Sequence, residues 1–378
     1  MKRTIAFLTA TRADYGKLKS VLRRLHDDPQ FDVHIFVTGM HMLERFGGTA
    51  AEVLEDGYGD IVCDEDYHYE PRMDVAISNV IQTFSRFVRK VRPGIIAVHG
   101  DRLDAIAGAI VGAFNNILVA HIEGGEISGT IDESIRHAVS KFSHLHFVAN
   151  QEAKTRLIQM GESKDNIFVV GSPDIDMMLS PELPSFEEVL LRYDIPFREY
   201  GILLYHPVVT EVKDLENHVH EVITALKDSK KNYVAIYPNN DPGNEIIRRA
   251  YEKLPNNFHV YPSMRFEYFL TLLKNAEFIV GNSSAGIREA CVYGIPAIDI
   301  GTRQSARYSI KILKNIIHTY YRKDDILDAI ARAPNFRHIS MNFGAGESAG
   351  GIHSVLSRSA IWATPKQKQF RDLSDWPI

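Results

Sequence analysis

Short runs of apolar, β-branched residues recur along the chain, each followed by a longer stretch with helical spacing. This alternation constrains the fold more than any other feature. In the first half the runs are Thr4–Thr9, Val33–Val37, Ile95–Val98, Leu118–His121, His146–Val148 and Ile167–Val170, with helical patterns at Lys17–His26, Met73–Val91 and Ser134–Lys141. After a break near Ser180–Pro184 the pattern restarts at Ile202–Tyr205, Tyr233–Tyr237, Phe258–Val260, Phe278–Val280 and Ala297–Ile300. Helices fit at Leu215–Asp228, Glu245–Lys253 and Arg265–Asn275. Strands joined through helices pair in parallel, and the helices cover both faces of the sheet. Two such sets predict an α/β chain of two doubly wound, Rossmann-like domains over 1–180 and 181–354, with a tail, 355–378, crossing back onto the first.

Composition narrows the function. Lys and Arg total 43 against 48 Asp and Glu, a net charge of −5. That argues against a large nucleic-acid footprint or a polybasic membrane patch. No apolar run approaches the ~18 residues of a membrane span. Ile5–Leu8, behind Lys2 and Arg3, is too short for a signal-peptide core, and Arg12 and Asp14 follow at once. Cys63 and Cys291 are too few for a disulfide framework or a Cys-rich zinc site, so a reducing, cytoplasmic setting is expected.

Unusual polar residues gather just past the predicted strands. In the first half they are Thr11–Asp14, Thr38–His41, His99–Arg102 and His121–Glu126; in the second, His206-Pro207, Pro238–Asp241, Gly281–Ser284 and Gly301–Gln304. Turns are polar in any case. Yet carboxyl ends of parallel strands are where open α/β sheets bind ligands, and these clusters carry more Arg, His, Asp and Glu than turn chemistry needs. Two such edges facing each other would enclose an anion-binding cleft.

Gly281–Ala290 reads as a strand end, a small-residue loop and a helix start, a place that suits a phosphate; as a bland alternative it is a tight turn with an N-cap. Asp101, Glu123 and Asp132 cluster in the first half, and paired carboxylates suit proton transfer at a sugar carbon. Asp132, expected just before the helix at Ser134, serves equally well as a helix cap. His206 either meets a phosphate leaving group or is structural. His99, His121, His137, His144 and His146 lack metal-site spacing, so no metal is expected. Gly344–Ala349 matches G-x-G-x-x-A but lies too near the chain's end for the strand and acidic residue a dinucleotide site needs, leaving a phosphate contact as its alternative role. No cofactor is expected.

Together these loops resemble the UDP-N-acetylglucosamine 2-epimerase family, closest to its hydrolysing branch, which makes N-acetylmannosamine and UDP for sialic acid synthesis. The carrying blocks are Thr11–Lys17, His99–Arg102, His121–Arg136, His206-Pro207, Tyr237–Asn239, Gly281–Glu289 and Gly301–Gln304, within about Lys2 to Ser348. The resemblance implies a GT-B-type fold with UDP bound by the second domain. It implies catalytic roles for Asp101, Glu123, Asp132 and His206. Arg12, Lys17, Ser283, Ser284, Glu289 and Arg303 match nucleotide-binding positions, and Asp14, His41, Arg102 and Asn239 are expected to line the UDP-sugar. Ala10 stands where the family often has glycine. Ile131-Asp132-Glu133 and His206-Pro207-Val208 replace the Pro-Glu-Glu and His-Arg-Arg-Glu-Asn blocks of non-hydrolysing relatives. A homodimer or homotetramer is implied, with the UDP-sugar and water as partners.

The chemistry points the same way. No carbonyl acidifies the C2 hydrogen of an N-acetylhexosamine, so inversion needs oxidation or expulsion of a leaving group from C1. With phosphate-binding loops and carboxylates, elimination of UDP is the economical route. A UDP-linked diacetamido-trideoxy sugar is an alternative substrate. A GT-B glycosyltransferase or a UDP-sugar sensor without turnover are rival readings.

Overall fold

The computed structural model describes residues 2–128, 131–304, 308 and 311–372. It divides into two compact units. The first comprises Met1–Glu126, Asp132–Leu179 and Phe343–Ile378; the second comprises Ile127–Ile131 and Ser180–Asn342. The chain returns to the first unit at Phe343, earlier than the expected 355. Gly129 and Thr130 of the block His121–Arg136, and 373–378 of the expected tail, lie outside the described residues.

The first unit holds a seven-stranded parallel sheet: β1 (Arg3–Thr9), β2 (Phe31–Val37), β3 (Asp60–Cys63), β4 (Ile95–His99), β5 (Leu118–Ile122), β6 (Leu145–Val148) and β7 (Ile167–Val169). Its order is β3-β2-β1-β4-β5-β6-β7. Side chains alternate across β1. Ile5 and Phe7 pack with the helices Arg12–His26 and Ser348–Leu356, whereas Ala6 and Leu8 pack with Phe84 and Phe87 of the helix Met73–Val91. Each such fully buried large side chain contributes about 1.5–3 kcal/mol. Both faces are covered, which is why the strands read as continuous apolar runs.

The returning segment is part of this core: Ala349, Ile352, Val355, Leu356 and Ile361 are buried in it. Arg3 donates to the carbonyls of Leu356 and Ser357 at 3.2 and 2.7 Å, fixing the last turn of the helix Ser348–Leu356.

The second unit holds six parallel strands: β8 (Gly201–Leu204), β9 (Tyr233–Ile236), β10 (Phe258–Tyr261), β11 (Phe278–Gly281), β12 (Ala297–Ile300) and β13 (Ile316–Thr319). Their order is β10-β9-β8-β11-β12-β13. Leu203, Tyr233 and Ile298 pack with the helices Leu215–Asp228 and Lys323–Arg332. Each sheet reverses direction of winding once, at β1/β4 and at β8/β11. Loops diverge there, opening a crevice at the carboxyl ends of those strands.

Candidate active site

After β1, Thr11 caps the helix Arg12–His26, and Asp14 completes a capping box. The Asp14 carboxylate accepts the N–H of Ala10 at 3.1 Å and of Thr11 at 2.8 Å, and the hydroxyls of Thr9 and Thr11, each at 3.0 Å. Asp14, expected to line the substrate, is taken up by its own turn. Arg12 Nε lies 2.8 Å from Glu52 Oε2, and Lys17 Nζ 3.1 Å from Asp174 Oδ2. His41 is buried, with Nε2 3.1 Å from Thr9 Oγ1 and Nδ1 2.6 Å from Thr49 Oγ1. Burial pushes its pKa down to about 4. A neutral ring with both nitrogens engaged inside the core holds the loop after β2 together.

The three carboxylates come from neighbouring elements. Asp101, past the end of β4, forms a close ion pair with Arg136 Nη2. Arg136 is buried, with Nη1 3.9 Å from Glu126. Glu123 follows β5 in the left-handed region at φ 64, a strained setting for a non-glycine residue. Its N–H still continues the ladder to Phe147 O at 2.9 Å. One carboxylate oxygen accepts the Ser172 hydroxyl, and the other lies 3.2 Å from His99 Nε2, both side chains being only 7% exposed.

Asp132 lies in the first turn of the helix Ile131–Phe142, inside the helix where the sequence placed it just before. Arg102 Nη1 is 3.9 Å from its Oδ1. Asp132 and Arg136 are one helical turn apart and share a face. The helix thus brings one carboxylate, and the partner of another, to the same strand edge. His121 is fully buried, donating from Nε2 to Gly100 O at 2.8 Å and accepting from Ser140 at Nδ1, 3.0 Å. Burial pushes its pKa down to about 3, so it supports the loop after β4 as a neutral ring.

In the second unit His206 and Asn282 follow the two strands of the reversal. Asn282 Oδ1 accepts the His206 N–H at 2.7 Å, and Asn282 Nδ2 donates to His206 O at 2.8 Å. His206 Nδ1 accepts the Asn239 N–H at 3.1 Å, so the neutral ring carries its proton on Nε2. Asn239 Nδ2 donates to Asp241 at 2.7 Å, and its Oδ1 is buried with no partner among the described residues. Gly281 sits at φ +139, and a Cβ there would lie 1.9 Å from Leu204 O, so only glycine lets the end of β11 approach β8.

Ser283 Oγ accepts the Ala285 N–H at 3.3 Å, and Ser284 opens a single 3-10 turn. Buried Glu289 then starts a helix of only five residues, Glu289–Tyr293. The expected helix start at this loop takes the form of these two short pieces. Any anion affinity here rests on individual N–H groups and hydroxyls more than on a macrodipole. Arg303 Nη1 and Gln304 Nε2 both donate to Asn282 O, at 3.3 and 2.8 Å.

A phosphate contact is the alternative role considered for Gly344–Ser348. The amides of Ser348 and Ala349, at the start of their helix, are taken by the Asp176 carboxylate at 2.8 and 2.7 Å. Among the described residues, Asp32, His34 and Asp60 offer ligand atoms within 4.8 Å of one another. They belong to the amino-terminal halves of β2 and β3, away from the loops above. No helix among the described residues is long and apolar enough to cross a membrane.

Sequence reasoning missed Ser172, Asp174 and the roles of Arg136 and His99. The signals were the place of His99 and Arg136 inside the blocks His99–Arg102 and His121–Arg136.

Across residues 23–357 the chain matches the protein family described as UDP-N-acetylglucosamine 2-epimerase. The chain belongs to the UDP-N-acetylglucosamine 2-epimerase family. The matched span includes every site residue above except Arg12, Asp14 and Lys17. The chain is 45% identical to the UDP-N-acetylglucosamine 2-epimerase of Neisseria meningitidis serogroup B, over 99% of this chain and 100% of that protein. It is 34% identical to the UDP-N,N'-diacetylbacillosamine 2-epimerase (hydrolyzing) of Legionella pneumophila, over 94% and 96% respectively. The crystal structure of Methanocaldococcus jannaschii UDP-GlcNAc 2-epimerase, in complex with UDP-GlcNAc and UDP, shares the fold. Its TM-score is 0.80 at 23% identity, over 94% of this chain and 99% of that one. The family's two parallel-sheet, GT-B-type α/β units are those seen here.

Proposed function

We propose that this family member is a hydrolysing UDP-N-acetylglucosamine 2-epimerase that converts UDP-N-acetylglucosamine and water to N-acetylmannosamine and UDP. The carrying observation is the gathering of Asp101, Glu123 and Asp132 at one strand edge, each beside Arg136, His99 or Arg102. Carboxyl groups gathered beside such partners suit proton transfer to and from a sugar carbon. The whole-length similarity to the Neisseria enzyme supports the substrate.

In the proposed reaction, one carboxylate removes the C2 proton as the C1–oxygen bond breaks anti to it. UDP leaves and 2-acetamidoglucal remains. Water then adds at C1 while a second carboxyl group delivers a proton to C2 on the opposite face; the proton the water loses returns to that group, and the first carboxylate releases its proton to solvent. Two carboxylates suit a proton removed from one face and returned to the other. His206 Nε2–H, held by Asn239 and Asn282, donates to the departing diphosphate, and Arg303 and Ser283 contribute further donors.

The Legionella relative favours one second reading, a UDP-linked diacetamido-trideoxy sugar as substrate. Product analysis tests both. Incubation with UDP-N-acetylglucosamine should yield free UDP and N-acetylmannosamine in equal amounts. Recovery of UDP-N-acetylmannosamine would place the chain in the non-hydrolysing branch. Faster turnover of the diacetamido sugar would reassign the substrate.

A further inference from the structure

In the second unit, one carboxylate ties together loops from three strands. Glu211 lies in the 3-10 turn Val209–Glu211, shortly after His206. It accepts the Thr302 hydroxyl on one oxygen and the Tyr321 hydroxyl, at 2.6 Å, on the other. Thr302 follows β12 and Tyr321 follows β13, whereas Glu211 follows β8. In the order β8-β11-β12-β13, Glu211 therefore reaches past β11 to the next two strand ends.

The surroundings are built to hold Tyr321 in place. His218 lies flat on its ring, with centroids 3.6 Å apart and planes at 4°, and His218 Nδ1 is 3.9 Å from the same carboxylate. Gly301, at φ +80, makes room for the phenol: a Cβ there would lie 2.1 Å from the Tyr321 oxygen. Burial first, then the hydrogen bond and charge of Glu211, push the Tyr321 phenol far up. It stays protonated and donates.

The contacts close a ring. Glu211 holds Thr302, the next residue Arg303 donates to Asn282 O, Asn282 clamps the backbone of His206, and the chain runs from His206 back to Glu211. Glu211 thus fixes the two loops that present Arg303 and His206.

We infer that Glu211, with Tyr321 and Thr302 as its donors, is a positioning residue for diphosphate binding. It holds Arg303 and His206 in register without itself touching the nucleotide. This inference rests on the UDP-sugar reading above. In Glu211→Gln one hydroxyl loses its charged acceptor, so the loop Gly301–Gln304 samples more conformations and binding weakens.

The test compares the full-length parent with Glu211→Gln, Tyr321→Phe and Thr302→Val. Calorimetric Kd for UDP, steady-state KM and kcat for UDP-N-acetylglucosamine, and melting temperature are measured for each. Glu211→Gln should raise the UDP Kd and the KM about tenfold, with kcat changed by less than about threefold. Glu211→Gln and Tyr321→Phe, combined in one chain, should be non-additive, because both changes act on one shared hydrogen bond. A parent that neither binds UDP nor consumes the UDP-sugar sinks the functional reading and this inference with it. A parent that binds UDP alongside variants of unchanged Kd sinks the positioning role alone, whatever their melting temperatures. Should Glu211→Gln fail to fold, Tyr321→Phe and Thr302→Val decide by the same Kd criterion.

Discussion

Replacing Glu123 by Gln is the sharpest probe of the proposed chemistry, because the structure isolates what the substitution removes. Shape and the Ser172 contact are kept; the charge beside His99 Nε2, 3.2 Å away, is lost. Loss of a positioned acid or base costs about 10²–10⁴ in turnover. At about 1.4 kcal/mol per tenfold, that is roughly 3–5 kcal/mol of transition-state stabilisation. The stability cost is far smaller. The substitution keeps the side chain's shape, and a single polar contact contributes about 1 kcal/mol. For units of this size, that moves the melting temperature only about 2–4 °C. Turnover is followed by UDP release and N-acetylmannosamine formation, and UDP affinity by calorimetry. Expected are a fall of at least about 10²-fold in kcat and a UDP Kd close to the parent's. A variant with near-parent turnover would remove Glu123 from the catalytic set, and a lost Kd would recast it as a binding residue.

Further predictions follow from other contacts. Asp101→Asn, which takes the charge from the Arg136 pair, should lower turnover by about 10²-fold or more with UDP binding retained; full activity would disprove its role. Asn282→Ala deletes both bonds to the His206 backbone and should weaken UDP binding and lower the melting temperature. Each buried group left unpaired costs about 1–3 kcal/mol, and unchanged calorimetric and thermal profiles would contradict the clamp. Stability should fall from pH 7 to pH 5. The unfolded chain protonates its histidines near 6.5, whereas buried His41 and His121 resist until about 4 and about 3, so the unfolded state binds more protons. Each contributes about 2 kcal/mol of loss by pH 5. Calorimetric scans at the two pH values check this, and equal melting temperatures would refute it.

Much of this architecture was legible because parallel strands covered on both faces leave continuous apolar runs. Helices with one wet face, such as Met73–Val91 and Leu215–Asp228, also announced themselves by period. β3 and β13 escaped. Each is a four-residue strand at a sheet edge with a broken apolar run: β3 (Asp60–Cys63) alternates half-exposed and exposed positions, and β13 (Ile316–Thr319) has only two apolar residues before His318 and Thr319. The helix Leu103–Phe114 escaped for the opposite reason: Ala, Gly and Ile surround it, so no polar face marks its period.

At the candidate site, residues at strand ends were legible and their partners were not. Ser172 meets Glu123 from 49 positions away, Arg136 meets Asp101 from 35, and Asp174 meets Lys17 from 157. Only folding brings such pairs together. Two local engagements were legible only in part: Asp14 stands three residues after Thr11, the spacing of a capping box, and His41 lies between threonines that satisfy it.

The central claim, inversion at C2 through elimination and rehydration, is tested most directly by turnover in deuterated water. N-acetylmannosamine released from UDP-N-acetylglucosamine should carry one solvent deuterium at C2 by NMR, in step with UDP release. N-acetylmannosamine that keeps its original C2 hydrogen would contradict the account.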